Sequence, residues 1–306
     1  MQLHSTAVKL SFDDCFHHAE YLAITVMYSR MIEQTILTGG LTPTQYRILI
    51  RINAYDHTLR IGQLAEMLDM GASAVTGAVA QLEDEGAVIR ADSSRDKRGV
   101  CVFMTEWGAH QTSHVDGKLR PLLEDIRDDF PLDLRRYASI CTLNVAKQNK
   151  LFGSSSQAGN VNTALCDEIL QTAALMHHVT RDEGLSMTAY RLLLELMEYP
   201  GGAHPGDLGR ILAVKANMIA STQNELLKRE LIKRSRDPLD RRSVVIEMTS
   251  KGYNVLRSCS LAMRNALQTE IIEGLTPLDF DKHHRLAKEI LQVRCADGQL
   301  RITHNR

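Results

Sequence analysis

With 306 residues, 44% hydrophobic and 24% charged, the chain has the make-up of a soluble globular protein, with room for two cores of about 150 residues each. Its formal net charge of -1 excludes a uniformly basic surface, so any grip on nucleic acid must come from the local distribution of charge. Six Phe, eight Tyr and one Trp favour aliphatic helix packing over a barrel or sandwich, and the expected chain is mostly helix. No stretch is apolar for long enough to span a bilayer, the six cysteines form no CxxC pair, and no basic segment leads into an apolar run near residue 1; the expected setting is cytoplasmic, with reduced thiols and no membrane contact.

In chain order, residues 14–36 repeat apolar groups at helical spacing through Phe16, Ala19, Leu22, Ala23, Val26, Met27 and Met31, and Gly39 and Gly40 stop that helix. Thr42 and Pro43 then start a second helix with Tyr46, Ile48, Leu49 and Ile52 as its buried stripe. A short helix at 61–70 turns inward Leu64, Ala65 and Leu68, Gly71 breaks it, and the next helix buries Val75, Val79 and Leu82. Two short helices with a tight turn have the proportions of a helix-turn-helix. Residues 87–89 and 100–104 read as strands around the polar run ADSSRDKRG, a hairpin wing with charge at its tip. Thr105 caps a long helix containing Pro121 as an expected kink, another helix covers 132–149, and the Gly- and Ser-rich stretch 151–160 marks a boundary between domains at 1–153 and 154–306.

From residue 161 the plan recurs: a long helix, a second at 187–199, a short one begun by Pro205 and Asp207, and a fourth at 215–231. Strands are expected at 232–236 and 243–247, then helices at about 250–272 and 278–294. The recurrence is visible residue by residue. Between Leu41–Gly108 and Leu185–Gly252 a constant offset of 144 gives 18 identities in 68 columns without a gap, where composition alone would give about four.

The hairpin sequence Asp96-Lys97-Arg98-Gly99-Val100 leading to Met104, Thr105 and Gly108 is matched by Asp237-Pro238-Leu239-Asp240-Arg241-Arg242 leading to Met248, Thr249 and Gly252. Together with the opening Leu41, Thr42, Gln45, Tyr46 and Leu49, each half resembles the MarR family of winged helix-turn-helix transcription regulators. That resemblance implies a mainly α fold with small β-hairpin wings, in two tandem winged helix-turn-helix domains joined through long N- and C-terminal dimerisation-type helices. Family members act as homodimers with interlocked terminal helices and hold small ligands between those helices and the winged unit. A tandem copy looks like such a dimer fused into one polypeptide, an intramolecular pseudo-dimer that supplies both reading heads.

The expected partner is double-stranded DNA, contacted by Ser73, Thr76, Gly77 and Gln81 of the first reading helix and by Lys215, Asn217, Ser221, Gln223 and Asn224 of the second. Arg95, Lys97 and Arg98, with Arg236, Arg241 and Arg242, would serve the two wings; Arg98 and Arg242 are the wing arginines that the resemblance implies. Residues 72–83 hold no basic group whereas the second half concentrates lysine and arginine, so the second half should grip the backbone more strongly. The reading helices differ at Ser73/Asn217, Thr76/Ala220 and Gln81/Glu225, so an effector-responsive repressor of this kind should read an imperfect or asymmetric inverted repeat. The alternative is a ligand-sensing or protein-interaction module with weak or no DNA binding.

A small aromatic or phenolic effector would meet Met27, Met31, Tyr46, Met176, Tyr190 and Met197 near the helix junctions, unless these simply form core. No nucleotide-binding Gly loop, HExxH or nucleophile elbow occurs, so no catalysis or cofactor is expected. His17 with His18, His177 with His178, and His110 with His114 are read as surface or interface histidines rather than metal ligands, and Cys15 and Cys166 as small buried groups rather than redox sensors.

Overall fold

The computed structural model describes residues 19–92, 100–153, 160–197, 199, 201–212, 214–237, 243–270 and 289–290. The described residues form two compact units, one within 25–173 and one combining 19–24 with those described within 174–290. The sequence repeats, 1–153 and 154–306, do not share these boundaries. Each compact unit takes part of the opening helix of the other repeat.

In the 25–173 unit, α1 (Ala19–Thr38) ends where Gly40 adopts φ 91°, a conformation open to glycine. Next, α2 (Pro43–Ala54) begins with a reciprocal cap: the Thr42 hydroxyl accepts from the Gln45 amide at 3.2 Å while Gln45 Oε1 accepts from the Thr42 amide at 2.7 Å. There follow β1 (Thr58–Arg60), α3 (Ile61–Leu68), α4 (Ala72–Asp84), β2 (Val88–Asp92), β3 (Val100–Met104), α5 (Glu106–Asp128), α6 (Arg135–Gln148) and α7 (Val161–Asp182). The helix α5 runs on through Pro121.

The strands form an antiparallel sheet in the order β1-β3-β2. Sequence reading misses β1, because three residues are too few to display an alternating pattern; Leu59, 5% exposed, anchors it over the core. Packing of α2 on α4 and α5 closes that core around Ile48, Leu49, Ile52, Val75, Val79, Leu82 and Leu119.

The other unit repeats the order as α8 (Met187–Met197), α9 (Pro205–Ile211), α10 (Ala216–Lys228), β4 (Ile232–Arg236), β5 (Val244–Met248) and α11 (Ser250–Glu270). The expected helix at 278–294 falls almost wholly outside the described residues. In place of β1 this unit has a single bridge between Ala203 and Ile246, through amide-to-carbonyl bonds of 3.0 and 2.9 Å. Gly202 enters that bridge at φ 89°, where a Cβ would lie 2.9 Å from the Ile246 carbonyl oxygen.

The shared Met-Thr-x-x-Gly sequence has a physical basis in both units. The Thr105 hydroxyl accepts from the Gly108 amide at 3.0 Å and donates to the Gly86 carbonyl at 2.8 Å; Thr249 makes the same pair with Gly252 and Glu230 at the same distances. One side chain therefore caps a long helix and fastens it to the turn before the wing. A Cβ on Gly108 would stand 2.1 Å from the Ala87 carbonyl oxygen, and one on Gly252 2.0 Å from that of Leu231. Gly108→Ala and Gly252→Ala should each cost about 2 kcal/mol or more in denaturant melts, because backbone must move in either case; a loss below ~0.5 kcal/mol would contradict this close approach.

Candidate nucleic-acid interface

In the first winged unit α3 turns into α4 through Asp69, held left-handed at φ 50° and followed by a Met70 amide bonded to the Ala65 carbonyl at 3.0 Å. That turn directs Val75, Val79 and Leu82 inward and leaves Ser73, Thr76, Gly77 and Gln81 exposed. Thr76 bonds back to the Ala72 carbonyl at 2.7 Å. The end of α4 is acidic, and Glu83 takes the nearest wing cation for itself: Arg90 Nε donates to Glu83 Oε2 at 2.6 Å. The hydrogen bonds from Arg90 hold the Glu83 carboxyl below its usual range. A face with no basic residue on its helix and a neutralised arginine beside it offers little to phosphate.

The second winged unit differs in charge. Along α10 and its flanks Lys215, Asn217, Ser221, Asn224 and Lys228 are exposed, as are Arg234 and Arg236 on β4. Among the described residues Lys215, Lys228, Arg234 and Arg236 have no ion-pair partner, whereas Arg229 pairs with Glu225 at 3.5 Å and Lys233 with Glu247 at 2.8 Å. Gln223 corrects the sequence expectation: it is 4% exposed, on the inward side of α10 beside Ile219 and Leu226. It stands four positions after Ile219 and three before Leu226, and this spacing puts its amide on the same inward face as those two. The expected wing contacts Arg95, Lys97, Arg98, Arg241 and Arg242 lie outside the described residues.

The six expected effector contacts divide between the core and the partly exposed surface of their units. Tyr46, Met176 and Tyr190 are at most 1% exposed and are core side chains; Met27, Met31 and Met197 are partly exposed. None of the six lines the hollow of about 410 Å³ beside Tyr199, His204 and Arg210, or the one of about 250 Å³ beside Arg127, Phe130 and Arg135. Burial raises the Cys166 thiol far above its ordinary range, the reverse of a reactive thiolate. Among the described residues no three His, Cys, Asp or Glu groups converge as metal ligands, and no helix is long and apolar enough to cross a membrane.

Sequence reading missed a polar cluster inside the 25–173 unit. Asp167 of α7, 1% exposed, accepts from Arg47 Nε at 2.8 Å and from both terminal nitrogens of Arg51 at 2.9 and 2.7 Å. Burial pushes the Asp167 carboxyl up, but the two guanidinium groups outweigh it and hold the group well below the ordinary range. Close by, Tyr46 donates to Asp116 at 2.7 Å, and burial raises the Asp116 carboxyl. The offset of 144 makes the sister positions Arg191, Glu195, Ala23, Tyr190 and Ser260. Charge is balanced in both sets by different means: two arginines with two aspartates, or one arginine with one glutamate. Charged columns that differ between the repeats were the available signal.

Beside this cluster, burial pushes the Glu168 carboxyl up to about 7, against a hydrogen bond from Thr142. Its Oε2 is buried with no hydrogen-bond partner among the described residues. The unfolded chain releases this proton near pH 4.5, so between there and about 7 the unfolded state binds fewer protons and stability falls as pH rises. Glu168→Gln should remove that slope and gain on wild type by on the order of 2 kcal/mol from pH 4.5 to 7.5 in urea titrations. Parallel pH profiles for the two proteins would refute it.

The helix-turn-helix followed by a strand hairpin and a capped long helix defines a winged helix-turn-helix fold, mainly α with small β-hairpins, in both units. The MarR family matches residues 41–100 and 185–244, and the fold is the one that family shares. A curated relative assigned as a transcriptional regulatory protein for the hcr operon of Thauera aromatica is 32% identical over 88 residues, which are 28% of this chain and 52% of that protein. The chain thus spans about half the length of that relative. Among solved structures, CouR from Rhodococcus jostii RHA1 bound to p-coumaroyl-CoA is 19% identical over 46% of this chain and 95% of that one, with a TM-score of 0.38. A mutant MarR from E. coli complexed with operator DNA is 20% identical over 40% and 87%, with a TM-score of 0.36.

Proposed function

We propose that the chain is a transcription regulator of the MarR type that binds double-stranded DNA through two unequal winged units, a fused pseudo-dimer with no catalytic role. The observation that carries this is the second reading head: a polar, exposed α10 flanked by Lys215, Lys228, Arg234 and Arg236, none engaged by a carboxylate among the described residues. Cations on a helix of major-groove width, with short polar side chains between them, suit phosphate anchoring beside base-edge contacts.

Unequal heads call for unequal half-sites, so the operator is an imperfect or asymmetric inverted repeat. Selection from a randomised duplex library tests this: enrichment of two dissimilar half-sites is expected, with stronger discrimination in one. Perfect palindromes would refute the asymmetry, and no enrichment above background would refute sequence-specific binding in favour of a ligand-sensing or protein-interaction module. The effector is a small aromatic or phenolic compound that lowers the affinity for the selected DNA.

A further inference from the structure

The second reading helix carries an apolar side chain among polar neighbours. Met218, the third residue of α10, is 45% exposed, and among the described residues it is the single large hydrophobic side chain exposed on either helix-turn-helix pair. Ile219, Thr222, Gln223 and Leu226 face the interior, which leaves Met218 at the flank of the outward face beside the exposed Asn217 and Ser221. Its sulfur accepts from the Thr188 hydroxyl of α8 at 3.8 Å, a contact that holds the side chain in place.

The offset of 144 makes Thr44 the sister of Thr188 and the exposed Ala74 the sister of Met218. A winged unit therefore folds with alanine at this position, and the methionine adds an apolar group that the core does not use. In helix-turn-helix proteins the first turn of the second helix meets base edges, and Met218 lies in that turn.

Of the four bases, thymine is the one whose major-groove edge presents an apolar group, the 5-methyl beside the acceptor O4. The neighbours of Met218 suit the rest of that edge. Asn217 Oδ1 accepts from the Met218 amide at 2.9 Å, so the oxygen is turned to the backbone and Nδ2 is the group left to contact a base; Ser221 adds a hydroxyl that can donate. Donors beside a methionine match an acceptor beside a methyl. Adenine calls for both ends of an asparagine amide, guanine presents acceptors without a methyl, and cytosine presents neither group. We infer that Met218 is a specificity residue of the second reading head and packs on the 5-methyl group of a thymine in its half-site. This rests on the DNA-binding reading above.

The test uses the full chain and the strongest duplex from the randomised selection, labelled with fluorescein, with each thymine replaced in turn by deoxyuridine. That exchange removes the methyl and keeps every hydrogen-bonding group. At one thymine of the half-site bound by the second head, wild type should lose about four-fold in affinity by anisotropy, the worth of one buried methyl. Met218→Ala, which installs the sister residue, should bind the thymine duplex about four-fold more weakly and treat thymine and deoxyuridine alike at that position. Met218→Leu should keep the distinction, and both variants should melt with wild type because the side chain is exposed. Wild type that binds every substituted duplex equally, or Met218→Ala that still prefers the methyl, would overturn the inference while leaving DNA binding itself intact. A selection that enriches no duplex would remove both.

Discussion

Asp167→Ala is expected to be among the most damaging substitutions of a single side chain in this protein, costing about 3–5 kcal/mol of stability. The carboxylate it removes is the hydrogen-bond acceptor for both Arg47 and Arg51, which are 6% and 0% exposed and have no water to turn to. The ion pairs themselves are worth little net against the cost of burying three charges; the damage comes from leaving guanidinium groups inside without a counter-charge. The sister repeat supplies the control. Adding Arg51→Glu and Asp116→Ser to Asp167→Ala reproduces Glu195, Ser260 and Ala23, restores charge balance and should recover at least half of the loss in denaturant melts. A mild single variant, or a triple variant no better than the single, would sink the charge-balance account. The pH dependence has a definite sign: the Asp167 carboxyl is held below its unfolded value, so its stabilisation is present above about pH 4 and is lost as pH falls through the folded value.

The second large effect concerns DNA. Replacing Lys215, Arg234 and Arg236 by alanine should weaken binding to the selected operator by about 100-fold or more at near-physiological salt, and reduce the slope of log K against log salt by about 3. All three are exposed and none has an ion-pair partner among the described residues, so the substitutions remove phosphate contacts without breaking internal ones. In the first winged unit, Arg90→Ala should change affinity less than three-fold, because Glu83 already neutralises that guanidinium. Fluorescence anisotropy at several salt concentrations separates the two. Equal losses from both units would show that the heads share the load and that the charge difference between them is idle.

Local structure was largely legible because its causes are local. Thr42 with Gln45, and Thr105 and Thr249 ahead of their glycines, are caps completed within three residues, and the strand pairs around each wing follow from short β-branched runs. Exposure along a helix was harder to read. Ser73, Thr76 and Gln81 fall on the outward face that the Val75-Val79-Leu82 stripe requires, but Gln223 does not, since a polar side chain can be buried without interrupting an apolar stripe. Tyr46, Met176 and Tyr190 are core side chains, and apolar groups at helical spacing announce that they are buried but not whether they enclose space.

The sequence by itself determined that one winged plan recurs at an offset of 144, that caps such as Thr42 and Thr105 start helices, and that the second copy carries more positive charge. The three-dimensional fold decided which of those charges face solvent, and it brought Asp167 to Arg47 across 120 residues of chain. It also set Glu83 against Arg90, and it turned Ile89 and Phe103 outward where the sister has a lysine and a glutamate. Caps and periodicity act over one or two turns and are written in neighbouring letters. Charge pairing and burial depend on which distant segments the core brings together, and no local pattern records that.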